Sequence, residues 1–77
     1  MPAENNKLAK HVVESSNLDW VAYDEDKKKL YVQFKSGSYY SYDDVPRNIF
    51  EDLLTASSKG RYFWMKIRDK YNYKRIY

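Results

Sequence analysis

A chain of 77 residues holds one domain at most, and folding at this length buries only about 60% of the surface that the unfolded chain exposes. Cysteine is absent, while nine tyrosines, three phenylalanines and two tryptophans supply 18% of the residues. Disulfides and thiol chemistry are thereby excluded, and large rings, each hiding about 150–250 Å² from water, must close the core.

Residues 1–14 are weakly patterned and read as a weakly ordered or short-helical lead-in. From Ser15 the pattern changes: "LDWVAYD" has strand propensity and polar flanks. "DEDKKK" then serves as a charged turn, and the strand after it alternates, with Leu30, Val32 and Phe34 on one face and Tyr31 and Gln33 on the other. Ser36-Gly37 suits a hairpin turn, because glycine takes the positive φ such turns require. Beyond it Ser38, Tyr40 and Tyr42 share one face, and Tyr39 and Ser41 the other. Strands are predicted over roughly 18–24, 29–35 and 38–42.

Pro46 ends the sheet and suits the first turn of a helix. Asp43 and Asp44 stand where carboxylates can accept from that turn's free N–H groups. Ile49, Phe50, Leu53 and Leu54 form an apolar stripe at helical spacing, which stops near "TASSKG". Ser57 or Ser58 can cap a second helix, whose stripe of Gly60, Phe63, Trp64, Ile67 and Tyr71 is predicted to be buried. Residues 72–77 form a tail or a short edge strand. The expected fold is α+β: a three-stranded antiparallel meander sheet followed by two helices (β-β-β-α-α), in a single domain over 15–71 with one sheet layer packed on the helices.

The net charge of +3 is uneven, since seven basic residues from Lys59 to Tyr77 face Asp69 alone, giving +6 there and −3 in the remainder. Such polarity can steer an anionic partner. No run approaches the ~18 apolar residues of a membrane span, and "MPAENNKLAK" lacks the apolar core of a signal peptide. A cytoplasmic protein outside membranes is expected. His11 is the single histidine, so no zinc ligand set can be assembled. "DEDKKK" lacks the glycine and terminal glutamate of a calcium loop, and no phosphate-cradling glycine motif occurs. The serines have turn or cap positions to fill and no evident base. No catalytic residue, metal or cofactor is expected.

The ordered set Ser15-Ser16-Asn17-Leu18, Val21, Tyr23-Asp24, Leu30, Val32, Phe34, Gly37, Tyr40-Ser41-Tyr42, Val45-Pro46, Leu53, Ala56, Ser58, Gly60, Tyr62-Phe63, Ile67 and Tyr71 resembles the KTSC domain. That domain is found at the carboxyl end of some lysyl-tRNA synthetases and as free-standing bacterial and phage proteins. Tyr40 and Tyr42 match its central Tyr-x-Tyr motif. Trp64 stands where the family often has asparagine. The resemblance implies RNA as a ligand through the synthetase connection and supplies no catalytic residues.

The expected function is a non-enzymatic binding module, with RNA held by a basic helix (Lys59, Arg61, Lys66, Arg68, Lys70) beside a tyrosine-rich sheet (Tyr31, Tyr39, Tyr40, Tyr42). Tyr40 and Tyr42 pack in the core if their face is covered, or stack unpaired bases if it is open. Tyr31 and Tyr39 are the better exposed pair. This reading requires the cations and the rings to share one side of the molecule. The alternative is an adaptor that binds a bacterial or phage protein. The oligomeric state is left open.

Overall fold

The computed structural model describes residues 8–77, so residues 1–7 of the lead-in lie outside the described residues. Strands β1 (His11–Val12), β2 (Leu18–Asp24), β3 (Lys29–Phe34) and β4 (Tyr39–Tyr42) are followed by α1 (Arg47–Thr55), α2 (Lys59–Lys66) and β5 (Tyr73–Arg75). All five strands form one antiparallel sheet in the order β1-β2-β3-β4-β5. The expected class holds, but the sheet has five strands rather than three. Both additional strands are edges of two or three residues, each wholly exposed, so neither shows the half-buried alternation by which strands are recognised. His11–Val12 is thus extended where a helical turn was one expectation, and 73–75 is the edge strand rather than a tail.

Cross-strand pairing sets the faces. Val21, Val32 and Tyr40 align across the sheet, as do Tyr23, Leu30 and Tyr42, and these side chains point to the helices. A bulge at Asp19 breaks the register between Leu18 and Trp20. The extra residue puts Leu18 and Val21 both in the core and sends Trp20 outward. Phe50 of α1 stacks on Tyr23 at 5.0 Å and meets His11 at 5.5 Å, so α1 lies over β1 and β2. Phe63 of α2 meets Phe34 at 5.4 Å and Tyr42 at 5.5 Å, placing α2 over β3 and β4. Leu18, Leu30, Val32, Val45, Leu53 and Ile67 fill the space between.

Two helix expectations are corrected. Asp43 and Asp44 do not cap α1. Pro46 is the N-cap residue, with no side-chain hydrogen bond, and its carbonyl accepts from Ile49 and Phe50 N–H. The acids precede it by two and three residues, and Asp43 instead faces Lys29 at 3.7 Å. The second helix is capped by Ser58, whose Oγ accepts from Arg61 N–H, but it ends at Lys66. The chain then turns back, and Asp43 N–H donates to Asn72 O to open the β4–β5 ladder. Tyr71 therefore leaves the helical stripe, and Trp64 stands 62% exposed. No described helix is long and apolar enough to cross a membrane.

Gly37 takes φ +103° in the β3–β4 connection, where its N–H donates to Phe34 O and Phe34 N–H donates to Ser38 O. No atom lies within 4 Å of an added Cβ, so the cost of a side chain there is backbone strain alone. Gly37→Ala is expected to lower stability by about 1–2 kcal/mol, read as a fall in Tm of roughly 5–15 °C by thermal circular dichroism. An unchanged Tm would contradict the assigned turn.

Candidate functional site

The inner face of the sheet is covered unevenly. α2 lies over β3 and β4, while Tyr73 on β5 remains 60% exposed. A groove of about 720 Å³ opens along this boundary, a size within the usual range for ligand pockets. Its floor is Tyr40 and Tyr42 of β4 with Phe34 of β3. One wall is Gly60, Phe63 and Trp64 of α2 with Arg68 and Asp69 of the following turn, and Tyr73 closes the far side. Ser16 and Asn17 form one end, next to Lys35 and Ser38 of the β3–β4 connection.

Local structure explains how each part reaches the groove. Ser15 Oγ accepts from the N–H groups of Asn17 and Leu18, both at 3.1 Å, which folds the polar opening into a tight turn. Lys35 N–H donates to Asn17 O at 2.8 Å and ties this turn to the β3–β4 connection. Gly60 lets α2 approach it closely, since a Cβ there would stand 3.2 Å from Ser15 Oγ. On the other side, register places Tyr73 opposite Tyr42 and Arg75 opposite Tyr40. Tyr40 and Tyr42 stack at 6.3 Å, and Tyr73 meets both at 5.8 and 5.9 Å.

Cations join the rings. The Arg68 guanidinium lies 3.9 Å from the Trp64 ring centroid, and that of Arg75 lies 6.0 Å from the Tyr40 ring. Arg75 also donates to Ser38 Oγ at 3.5 Å. Stacking on a ring fixes the guanidinium plane while leaving its N–H groups available to an anion. Tyr42 is 3% exposed, and burial, followed by the neighbouring Tyr40 phenol, pushes its hydroxyl up to about 12, with Arg68 opposing. Among the described residues nothing hydrogen-bonds this hydroxyl. It remains neutral at physiological pH, able to donate one hydrogen bond and accept others.

The structure divides the residues predicted from sequence. Tyr40, Tyr42 and Arg68 meet in the groove. Tyr31 and Tyr39 stack together at 6.1 Å on the opposite face of the sheet, where Trp20 joins Tyr39 at 5.5 Å under Lys10. Lys59 donates to Ala56 O at 2.9 Å at the α1–α2 corner, and Arg61 and Lys66 line a shallow depression there with Ala56, Tyr62 and Met65. Lys70 is exposed on the turn after α2. The helix cations and the Tyr31–Tyr39 pair are therefore on opposite sides of the sheet, so the common surface expected for them does not form. Sequence reasoning missed Tyr73 and Trp64 as groove residues, and Arg75 as their neighbour against Tyr40 and Ser38. Recognising β5 would have supplied Tyr73 and Arg75 through its register with β4, while Trp64 stands exposed on α2 at the groove wall.

The sequence model of the KTSC domain matches residues 14–71. The chain is 38% identical over 65 residues to an uncharacterised protein of Stutzerimonas stutzeri, covering 83% of this chain and 92% of that one. It is 35% identical over 63 residues to a lysine–tRNA ligase of Nostoc punctiforme, covering 82% of this chain but 11% of the ligase. The crystal structure of a KTSC domain protein from Yersinia pestis is similar at 32% identity with a TM-score of 0.86, covering 92% of this chain and 100% of that one.

The raised Tyr42 hydroxyl has a consequence for alkaline stability. Folding favours the neutral phenol, so this stabilisation is complete below the unfolded value of about 10 and is lost as pH rises toward about 12. Tyr23, Tyr39 and Tyr62 are raised too, each chiefly by burial, and act in the same direction. Urea unfolding between pH 9 and pH 12 is expected to show a steady loss of stability that Tyr42→Phe makes visibly shallower. An identical slope in the variant would contradict the burial of this hydroxyl.

Proposed function

The chain belongs to the KTSC domain family, and from that premise we propose that it is a non-enzymatic, cytoplasmic module that binds unpaired RNA in the groove between α2 and β4–β5. The observation that carries this reading is the meeting of rings and a guanidinium in one cleft, Tyr40, Tyr73 and Trp64 with Arg68, with Arg75 beside it against Tyr40 and Ser38. Flat rings accept unpaired bases by stacking, and arginines pair with phosphate oxygens in a forked geometry. A groove of about 720 Å³ suits one or two nucleotides rather than a duplex, whose bases are stacked on each other and hidden from side-chain rings. The ligase relative, by its name, acts on tRNA. This chain spans 11% of that ligase, so an RNA-holding role is carried over and lysine ligation is not.

The second reading is an adaptor for a bacterial or phage protein. It is favoured by the outer face of the sheet, which no described helix covers and where Trp20, Tyr31 and Tyr39 lie beside Val12, itself 82% exposed. A partner retained on the immobilised protein after nuclease treatment, and released by Tyr31→Ala, supports that reading.

Titration of the purified protein with an unstructured ten-nucleotide RNA, followed by tryptophan fluorescence, tests the proposal. Contacts from Lys35, Arg68 and Arg75 to three phosphates give an expected slope of about −2 in log affinity against log salt. Tyr73→Ala is expected to weaken binding by roughly 5- to 150-fold, the loss of one stacked base, while Lys59→Gln and Lys66→Gln leave it unchanged. Absence of binding at low salt, or binding that Tyr31→Ala abolishes and Tyr73→Ala leaves intact, overturns the assignment to the groove.

A further inference from the structure

The chain itself closes the groove at both ends. At one end residues 67–72 carry the backbone from α2 to β5, and Asp43 N–H donates to Asn72 O at 2.8 Å where they arrive. At the other end an unbroken series of contacts runs between the same two elements. Gly60 of α2 packs on the polar turn, where a Cβ would stand 3.2 Å from Ser15 Oγ and 3.7 Å from Asn17 Nδ2. Lys35 N–H donates to Asn17 O at 2.8 Å, and Phe34 N–H donates to Ser38 O at 2.9 Å. Arg75 Nη2 on β5 then donates to Ser38 Oγ at 3.5 Å. The cleft is therefore open along its mouth alone. A strand lying through it would need two open ends, whereas a nucleotide at the end of a chain needs only the mouth.

The two ends differ in charge. Asp69, the one acid of the lining, belongs to the 67–72 connection. The opposite end collects Ser16, Asn17, Lys35, Ser36 and Ser38, with Arg75 bonded to Ser38. Arg75 is fixed there by Ser38 Oγ, by Tyr77 O at 3.2 Å and by the Tyr40 ring. Among the described residues neither Lys35 nor Arg75 takes part in an ion pair. Two cations with hydroxyls and a carboxamide around them offer more than a phosphodiester can use, since a diester has a single charge and two free oxygens. A phosphate monoester, with three free oxygens and close to two charges at neutral pH, matches them.

We propose that the groove recognises a phosphorylated RNA end, with the terminal phosphomonoester held by Lys35, Arg75 and the Ser36 and Ser38 hydroxyls and the terminal base stacked on Tyr40. This rests on the reading of the groove as an RNA site. An end without phosphate leaves these cations only the singly charged diester that follows it. The added charge-assisted hydrogen bonds correspond to a preference of about tenfold or more for the phosphorylated end.

The test uses the whole chain and seven-nucleotide uridine RNAs carrying a 5′-phosphate, a 3′-phosphate or neither, beside a circular uridine RNA that has no end. Affinity is read by tryptophan fluorescence at one salt concentration. At least one phosphorylated oligomer is expected to bind about tenfold tighter or more than the unphosphorylated one, and the comparison shows which end is held. The circle is expected to bind no tighter than the unphosphorylated oligomer. Free uridine monophosphate is expected to bind more weakly than the preferred oligomer by roughly tenfold, for want of a second stacked base. Lys35→Gln is expected to cut the preference to about threefold or less, whereas Lys66→Gln at the α1–α2 corner keeps it, although each removes one positive charge. Lys35 is exposed, so the variant is expected to fold, and an unchanged circular dichroism spectrum confirms it. Equal affinity for the three linear oligomers, a circle that binds as tightly as the phosphorylated ones, or a preference that both variants alter equally overturns end recognition and leaves RNA binding in place. Free nucleotide that binds as tightly as the oligomer overturns it too, by making the ligand a nucleotide rather than an RNA end. If no RNA binds the unaltered protein, the RNA reading itself fails and end recognition falls with it.

Discussion

Strand β4 pairs on both sides, with β3 through Leu30–Tyr42 and Val32–Tyr40 and with β5 through Tyr42–Tyr73 and Tyr40–Arg75, and the rest of the molecule depends on that double register. Because side chains alternate across a strand, a slip of one residue would turn Tyr40 and Tyr42 to the outer face and bring Tyr39 and Ser41 under α2. The core would then lose the Tyr42–Phe63 contact, and the groove would lose its floor. Beside a mainly aliphatic buried core, the ring contacts among Phe34, Tyr40, Tyr42 and Phe63 fix this register as well as exclude water.

The central hairpin and both helices were legible in the sequence because their patterns are long enough to declare a period. Leu30, Val32 and Phe34 alternate through β3, and Phe50 and Leu53 lie on the buried side of α1. Of the edge strands, β5 was legible only as one of two options for residues 72–77 and β1 not at all, since both are held by backbone hydrogen bonds and bury no residue of their own. The bulge at Asp19 was equally invisible, because an inserted residue in one strand is defined by the partner strand and not by local composition. The helix boundary at Lys66 was overridden by tertiary structure: the turn through residues 67–70 delivers the chain to β4, a demand that the apolar spacing of Ile67 and Tyr71 does not express.

The candidate site was legible in part for a related reason. Sequence placed Tyr40, Tyr42 and Arg68 among the binding residues, and the structure gathers these three. It could not separate the cations by direction. Lys59, Arg61 and Lys66 belong to the α1–α2 corner, whereas Arg75, in a segment read as a tail or an edge strand, reaches Tyr40 and Ser38. Charge counted along a chain describes how strongly an anion is drawn, and it is the register of β5 that brings Arg75 to an aromatic surface.

Because β5 follows both helices in the chain yet pairs with β4, the floor of the groove and its far side come from segments separated by some thirty residues. During synthesis the hairpins and helices can emerge and begin to pack before Tyr73 and Arg75 have left the ribosome. A chain that ends before that point keeps every buried core residue, of which Ile67 is the last in sequence, and still presents no finished cleft. Proteolytic trimming or a premature stop near Asn72 would therefore separate the act of folding from the acquisition of a ligand surface, with the latter arriving last.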